Sequence, residues 1–92
     1  MHKFLVHKQG DHVGVATRDI QNGEEISGIF MDDNTKVEVV ARGDIPLGHK
    51  IALQDLAQAS DVIEYGQIVG VTKSAWQRGD YVHTHNIKSK RW

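Results

Sequence analysis

Two histidines near the end of the sequence are spaced so that they could act together. In the segment Val82-His83-Thr84-His85-Asn86, an extended strand would place His83 and His85 on one face and Thr84 and Asn86 on the other. Two imidazoles on one face can ligate a divalent metal through neutral nitrogens, or bind a substrate carboxylate when they are protonated. The alternative is an exposed strand end whose histidines only titrate with solvent, and two ligands alone do not complete a catalytic metal site.

A second candidate site is a turn that holds the only proline of the chain, in Gly43-Asp44-Ile45-Pro46-Leu47-Gly48-His49-Lys50-Ile51. Proline fixes φ and removes a donor, and Gly48 restores backbone freedom, so this stiff turn would present His49 and Lys50 side by side. An imidazole beside an ammonium group suits recognition of a carboxylate or a sulfonate. The alternative is an ordinary turn with two polar residues.

Other polar segments are predicted to be structural. His7 and His12 flank Gly10 and are expected to be polar surface residues, and Tyr65-Gly66 is expected to be a structural turn. Asp32-Asp33-Asn34-Thr35 has the composition of a hairpin tip. Its two acids could suggest a cation site, but further oxygen ligands at regular spacing are missing from the sequence, which favours a solvated turn.

The elements that must position these groups are short strands. Helical spacing of apolar residues is scarce, and its best stretch, Leu53 to Ala59, could form two turns at most. Apolar, β-branched runs punctuated by glycine are typical of strands, and they cover Lys3 to His7, Val13 to Thr17, Lys36 to Ala41, Lys50 to Leu53, Val62 to Tyr65, Ile68 to Thr72 and Tyr81 to Ile87. The sequence therefore predicts one all-β domain over residues 1–92, a compact folded-over sheet with at most one or two short helical turns.

A weak internal repeat indicates how the chain enters its strands. The pattern is an apolar residue, two residues, glycine, two residues and a second apolar residue, and each copy is expected to be a tight turn in which glycine supplies a positive φ. Trp76 opens one copy and is expected in the core. The copies are Ile20 to Ile26, Ile45 to Ile51, Trp76 to Val82 and, with alanine in place of glycine, Leu56 to Val62.

Composition excludes several function classes. The chain has no cysteine, which rules out disulfides, thiolate metal sites and a cysteine nucleophile, and its net charge of −1 gives no positive field for a nucleic acid. The basic tail Lys88-Ser89-Lys90-Arg91 is expected to be a solvated terminus.

No signal peptide or membrane span is visible, so a cytoplasmic location is expected. No G-x-G-x-x-G, P-loop or nucleophile-elbow motif occurs, and 92 residues leave little room for a complete active site.

Four segments in this order resemble one family: Lys3 to His7 with Asp11 to Ala16, Asp44 to Leu53, Val62 to Gly70, and Val82 to Asn86. The most specific signatures are IPLGHKIAL, YG and HTHN. They resemble the small or N-terminal domain of altronate and galactarate dehydratases and of the related sulfolactate sulfo-lyases. The resemblance implies a SAF-type β-clip fold, which agrees with the all-β prediction. Because HTHN lies close to Trp92, the separate-subunit form is expected, and the two ends of the chain are most similar to the sulfolactate branch.

That resemblance implies β-elimination from a 2-hydroxy carboxylate, in which the small subunit completes the active site of a large catalytic subunit. In the sulfolactate branch, (2R)-3-sulfolactate gives sulfite and pyruvate; in the altronate dehydratase-like branch, a sugar acid loses water. A divalent metal, expected to be iron, would lie mainly on the large subunit. The implied substrate contacts are His49, Lys50, His83, His85 and Asn86, with His83 and His85 as possible metal ligands. The alternative is a non-catalytic SAF binding module.

Overall fold

The computed structural model describes residues 2–90, which form nine β-strands and no helix. No helix within this range is therefore long and apolar enough to cross a membrane. The all-β prediction is confirmed. The strands are β1 (Phe4–Val6), β2 (Val13–Ala16), β3 (Glu25–Phe30), β4 (Lys36–Val40), β5 (Lys50–Ala52), β6 (Asp61–Glu64), β7 (Gln67–Thr72), β8 (Tyr81–Val82) and β9 (Ile87–Ser89).

The strands form two sheets. The larger sheet has six strands in the order β4-β3-β1-β2-β5-β8, and the smaller has three in the order β6-β7-β9. Only β1 and β3 run parallel; the other neighbours are antiparallel. Burial alternates along several strands, as in β6, because successive side chains of a strand point to opposite faces.

Each face of the larger sheet contributes to a separate apolar cluster. The first cluster includes Phe4, Val6, Ile26, Ile45 and Ile51. Its packing is close: a Cβ at Gly28 would lie 2.2 Å from the Phe4 ring, so the flat ring requires glycine beneath it. The second cluster lies where the smaller sheet covers the larger one, and consists mainly of Val13, Ala52, Val62, Trp76 and Val82. The prediction that Trp76 belongs to the core is confirmed, since it is 2% exposed.

The repeated turns pair with each other. Ile20 pairs with Ile45, and Leu56 pairs with Trp76, each through an isolated antiparallel bridge. The fourth residue of every copy has positive φ, as predicted for the glycines, and Ala59 adopts the same geometry at 64°. In three copies an aspartate before the first apolar residue accepts a backbone N–H of the paired copy: Asp19 from Leu47, Asp44 from Asn22 and Asp55 from Arg78. The copy that opens at Trp76 has Ala75 at this position.

Two elements differ from the sequence-based predictions. Residues 53–59 form no helical turn, because Leu56 is held by the bridge to Trp76 and Ala59 has the left-handed geometry of the repeated turn. The run Tyr81 to Ile87 is not one strand but two, β8 and β9, joined by a turn at residues 83–86. The predicted hairpin tip at Asp32 to Thr35 is confirmed between β3 and β4. In the basic tail, Lys88 and Ser89 belong to β9, while Arg91 lies outside the described residues.

Candidate functional site

Pairing of β5 with β8 brings the two predicted motifs together. The register sets Lys50 opposite Val82 and Ile51 opposite Tyr81. Continuing this antiparallel register by one residue places His49 opposite His83, and their ring centroids are 5.4 Å apart. Directly opposed residues on one face of an antiparallel pair are close neighbours. Two histidines from separate parts of the sequence therefore share one surface.

Tyr81 lies at the centre of this group, and the sequence-based prediction missed it. Its hydroxyl is 2.7 Å from His49 Nδ1, and its ring centroid is 5.5 Å from that of His83 and 5.9 Å from that of His85. It is half-buried and packs against the first apolar cluster. The signal was present in the sequence, because Tyr81 and His83 are two residues apart in an extended run. We call Tyr81 and the three histidines, His49, His83 and His85, the histidine–tyrosine cluster.

Residues 83–86 form a turn, so the predicted extended strand with His83 and His85 on one face is wrong at this point. The cause is the buried side chain of Asn86, which is 6% exposed. Its Oδ1 accepts the N–H of His83 at 3.0 Å, and its Nδ2 donates to the carbonyl of Tyr81 at 2.8 Å. The turn leaves His83 and His85 exposed, with ring centroids 5.5 and 5.9 Å from that of Tyr81. Asn86 therefore positions the turn, and its predicted contact with substrate stays a prediction.

The side chains of Lys50 and His49 point in different directions and contact different partners. The Lys50 ammonium lies 2.5 Å from Oε1 of Glu64, whereas the His49 ring bonds to the Tyr81 hydroxyl. Adjacent residues that enter a strand point to opposite faces, so the predicted side-by-side presentation is wrong. Glu64 is 2% exposed, and a buried carboxylate requires a partner of opposite charge. Lys50 therefore compensates Glu64, and its contact with substrate stays a prediction.

The cluster does not form a metal site by itself. Among residues 2–90 there is no group of three or more His, Asp or Glu side chains arranged to hold a metal ion. His83 and His85 could supply at most two ligands, and a catalytic centre usually takes three protein ligands. The role of these two histidines as metal ligands stays a prediction, and it would require ligands from another chain.

The surroundings of the cluster are open, and the charged groups Arg42, Asp80 and Lys73 beside it have partners within the chain. An open depression of about 290 Å³ lies beside it, with Tyr81, His85 and Asp80 in its lining. The Asp80 carboxylate is 3.4 Å from the guanidinium of Arg42. On the turn itself, Lys73 Nζ donates to the carbonyl of Thr84 at 2.9 Å. Nearby cations therefore already have partners within the chain, and the exposed imidazoles are the groups presented outward.

The polar residues near the start of the chain are structural. Asp11 is buried and accepts the N–H groups of Tyr65 and Gly66, which confirms the predicted turn there. His7 stacks on Tyr65 with ring centroids 3.9 Å apart. His12 is half-buried and its Nδ1 accepts the N–H of Ile63 at 3.0 Å, so the expected surface role is wrong for this residue. It instead joins the two sheets.

The carboxylates of the hairpin tip accept hydrogen bonds from the tip itself and from a neighbouring loop. The Thr35 hydroxyl and N–H both donate to Oδ1 of Asp33 and hold the pKa of that carboxyl below its usual value. Gln9 donates to Asp32 and Asp33 from the neighbouring loop. These contacts agree with the predicted solvated turn rather than with a cation site.

Within residues 2–90 the chain is all-β and carries a histidine group whose members His83 and His85 are exposed. The family model for the altronate/galactarate dehydratase SAF domain matches residues 2–90, and the chain belongs to this family. The SAF-domain assignment made from the sequence is therefore confirmed.

Relatives within the family include separate subunits and longer enzymes. The chain is 37% identical over 90 residues to the (2R)-sulfolactate sulfo-lyase subunit alpha of Chromohalobacter salexigens, covering 97% of this chain and 96% of that protein. It is 41% identical over 64 residues to the corresponding subunit alpha of Paracoccus pantotrophus, covering 70% of this chain and 96% of that protein. It is also 36% identical over 90 residues to the altronate dehydratase of Bacillus subtilis, covering 97% of this chain but 17% of that protein. The relatives matched over nearly their full length are thus named as subunits of a lyase.

Proposed function

We propose that this chain is the small subunit of a C–S lyase that eliminates sulfite from (2R)-3-sulfolactate to give pyruvate, and that it completes the active site of a large catalytic subunit. The observation that carries the proposal is the convergence of His49 and His83, with ring centroids 5.4 Å apart, on an exposed surface. The similarity to sulfo-lyase alpha subunits over nearly their whole length supports this substrate.

The proposed reaction is a β-elimination. A base removes the proton from C2 of sulfolactate, and the negative charge that develops spreads into the carboxylate as an enediolate. The C3–S bond then breaks, and sulfite leaves with the bonding electron pair. The enol that remains gains a proton at C3 and loses the hydroxyl proton to give pyruvate, so atoms and charge balance. Developing charge on the carboxylate needs hydrogen-bond donors close to its oxygens.

The histidine–tyrosine cluster is suited to recognise such a substrate. Sulfolactate carries a carboxylate and a sulfonate, and imidazole N–H groups donate to anionic oxygens. His83 and His85 are exposed, while His49 is half-buried beside them. An exposed group of this kind excludes little water, and water weakens electrostatic interactions. A second protein surface over the cluster would exclude water and supply the remaining groups.

We further propose that the second surface belongs to a large subunit and that this subunit provides most of the ligands of a divalent metal, expected to be iron. The name "subunit alpha" carried by two relatives supports the existence of another subunit. The lack of a three-ligand group within residues 2–90 supports placing the metal mainly outside this chain.

Reconstitution tests the proposal. The purified chain, its large subunit and their mixture are each incubated with (2R)-3-sulfolactate, and released sulfite is measured. We expect sulfite only from the mixture, and a loss of turnover when the mixture contains His49→Ala or His83→Ala. His2→Ala is the matched control, because His2 contacts Ser27 and lies outside the cluster. Full activity of the large subunit alone would contradict the proposal, and unchanged turnover in both cluster variants would favour a non-catalytic binding module.

A sugar-acid hydro-lyase is the second candidate. It is favoured by the 36% and 38% identities to the altronate dehydratases of Bacillus subtilis and Escherichia coli, whose sequences this chain covers by 17% and 15%. The same reconstituted mixture is therefore also given altronate, and the 2-oxo acid product is measured. Turnover of altronate without sulfite release from sulfolactate would select this candidate.

A further inference from the structure

The bond between Tyr81 and His49 determines which nitrogen of His49 faces a ligand. The Tyr81 hydroxyl occupies Nδ1 at 2.7 Å. The other ring nitrogen, Nε2, has no hydrogen-bond partner among residues 2–90. In a neutral imidazole one nitrogen is a donor and the other an acceptor, and the bond made by one nitrogen sets the state of the other. The role of His49 therefore depends on the direction of this single bond.

A phenol hydroxyl is the stronger donor of the pair. The tyrosine hydroxyl has one hydrogen that it can donate, and a neutral imidazole has one unprotonated nitrogen that can accept it. The unprotonated nitrogen of imidazole is a much stronger acceptor than a phenol oxygen, and a neutral imidazole N–H is a weaker donor than a phenol O–H. The favoured pairing is therefore O–H of Tyr81 donating to Nδ1 of His49.

Tyr81 is held in place by contacts that do not involve His49. It packs against the first apolar cluster, and its backbone pairs with Ile51 in the sheet. Its carbonyl accepts the amide of Asn86 at 2.8 Å. Since the backbone and ring are fixed by the fold, the hydroxyl is a preorganised partner for His49.

We propose that Tyr81 is a positioning residue that holds neutral His49 in the tautomer with its proton on Nε2, so that His49 presents an N–H donor to an anionic oxygen. The protonated ring also carries hydrogen on Nε2, so this donor persists in both charge states. A general base would instead need a lone pair at the outward nitrogen. The inference rests on the proposed function for its substrate, a carboxylate- or sulfonate-bearing acid, and it assigns proton abstraction to a group other than His49.

The tautomer can be measured without the large subunit. Long-range ¹H–¹⁵N spectra of the full chain are recorded where His49 is neutral. We expect the carbon-bound ring protons of His49 to correlate with a protonated Nε2 and with an unprotonated, hydrogen-bonded Nδ1. The Tyr81→Phe variant keeps the ring but removes the hydroxyl, and the Nδ1 resonance should then move toward the position of a free acceptor nitrogen. A proton on Nδ1 in the wild-type chain would overturn the proposal, even if the complex is active.

The reconstituted complex tests the consequence for turnover. Glutamine can place an amide N–H near the position of Nε2 but has no basic lone pair, whereas alanine removes both. We expect His49→Gln to keep kcat/KM for sulfite release within about tenfold of wild type, and His49→Ala to lose on the order of 10–100-fold, as for loss of a hydrogen bond to a charged group. Equal losses in the two variants, of the 10²–10⁴ order of a missing general base, would overturn the donor role. A wild-type complex inactive on sulfolactate would refute the proposed function, while the spectra would still decide the tautomer.

Discussion

Replacing Asn86 by alanine should unfold the turn that presents His83 and His85. The substitution removes two hydrogen bonds, one from the His83 N–H to Oδ1 and one from Nδ2 to the Tyr81 carbonyl. Each hydrogen bond contributes about 1 kcal/mol net, and a buried group left without a partner costs about 1–3 kcal/mol. Since Asn86 is buried, we expect the free energy of unfolding to fall by about 2–4 kcal/mol.

This loss should be visible in thermal unfolding. At about 2.1 cal/mol/K per residue, a chain of 92 residues has an unfolding entropy of about 0.2 kcal/mol/K, so Tm should fall by about 10–20 °C. The assay is thermal unfolding followed by circular dichroism, with urea titration as an independent measure. The backbone carbonyl of Asn86 still accepts Trp76 Nε1, so the side chain alone is tested.

Two variants control the interpretation. Asn86→Asp keeps an acceptor for the His83 N–H but turns an oxygen toward the Tyr81 carbonyl, so it should be destabilised at neutral pH as well. Thr84→Ala changes an exposed residue of the same turn and should stay within about 0.5 kcal/mol of wild type. An Asn86→Ala chain within about 0.5 kcal/mol of wild type would refute the assignment of this amide as the support of the turn.

Three further predictions concern the scaffold. Ala59 has φ of 64°, so Ala59→Gly should raise the free energy of unfolding by about 0.5–1 kcal/mol in urea titration, and a decrease would contradict the inferred backbone strain. Ala75→Asp introduces the aspartate that the fourth copy of the repeat lacks, and this aspartate can accept the Gln58 N–H. The free energy of unfolding should rise by about 0.5–1 kcal/mol. An unchanged free energy of unfolding would show that this copy does not share the geometry of the others. Lys3 lies 2.6 Å from the Glu24 carboxylate and lowers its pKa below the usual 4.5, so this pair contributes stability above pH 4.5 that is lost as pH falls through the folded pKa. Glu24→Gln should therefore flatten the decline of stability below pH 4.5, and an unchanged slope would contradict the role of this pair.

Local patterns were sufficient to predict the fold class. Glycine at a fixed position in three copies of the repeat, Gly23, Gly48 and Gly79, indicated positive φ, and all three adopt it. The fourth copy obscured this rule, because Ala59 and its apolar neighbours have good helix propensity. Pairing with Trp76 overrides that propensity, and such a long-range bridge is not encoded in the local pattern.

The candidate site was predicted in part. Both histidine motifs were identified from residue type, and the structure places His49 beside His83. Their geometry was not predictable, because β8 ends at Val82 and the turn depends on where the Asn86 amide finds its partners. The partner of Lys50 could not be predicted either, because Glu64 reaches Lys50 only when the smaller sheet packs on the larger one.

The central claim is that a second protein covers the histidine–tyrosine cluster. Hydrogen–deuterium exchange of the full chain with and without the proposed large subunit tests it most directly. We expect slower exchange in peptides that span residues 46–50 and 81–86 when the large subunit is bound. The hairpin tip at residues 31–35 serves as the internal reference and should exchange equally fast in both samples. Protection that spares residues 81–86 in an active complex would contradict the claim.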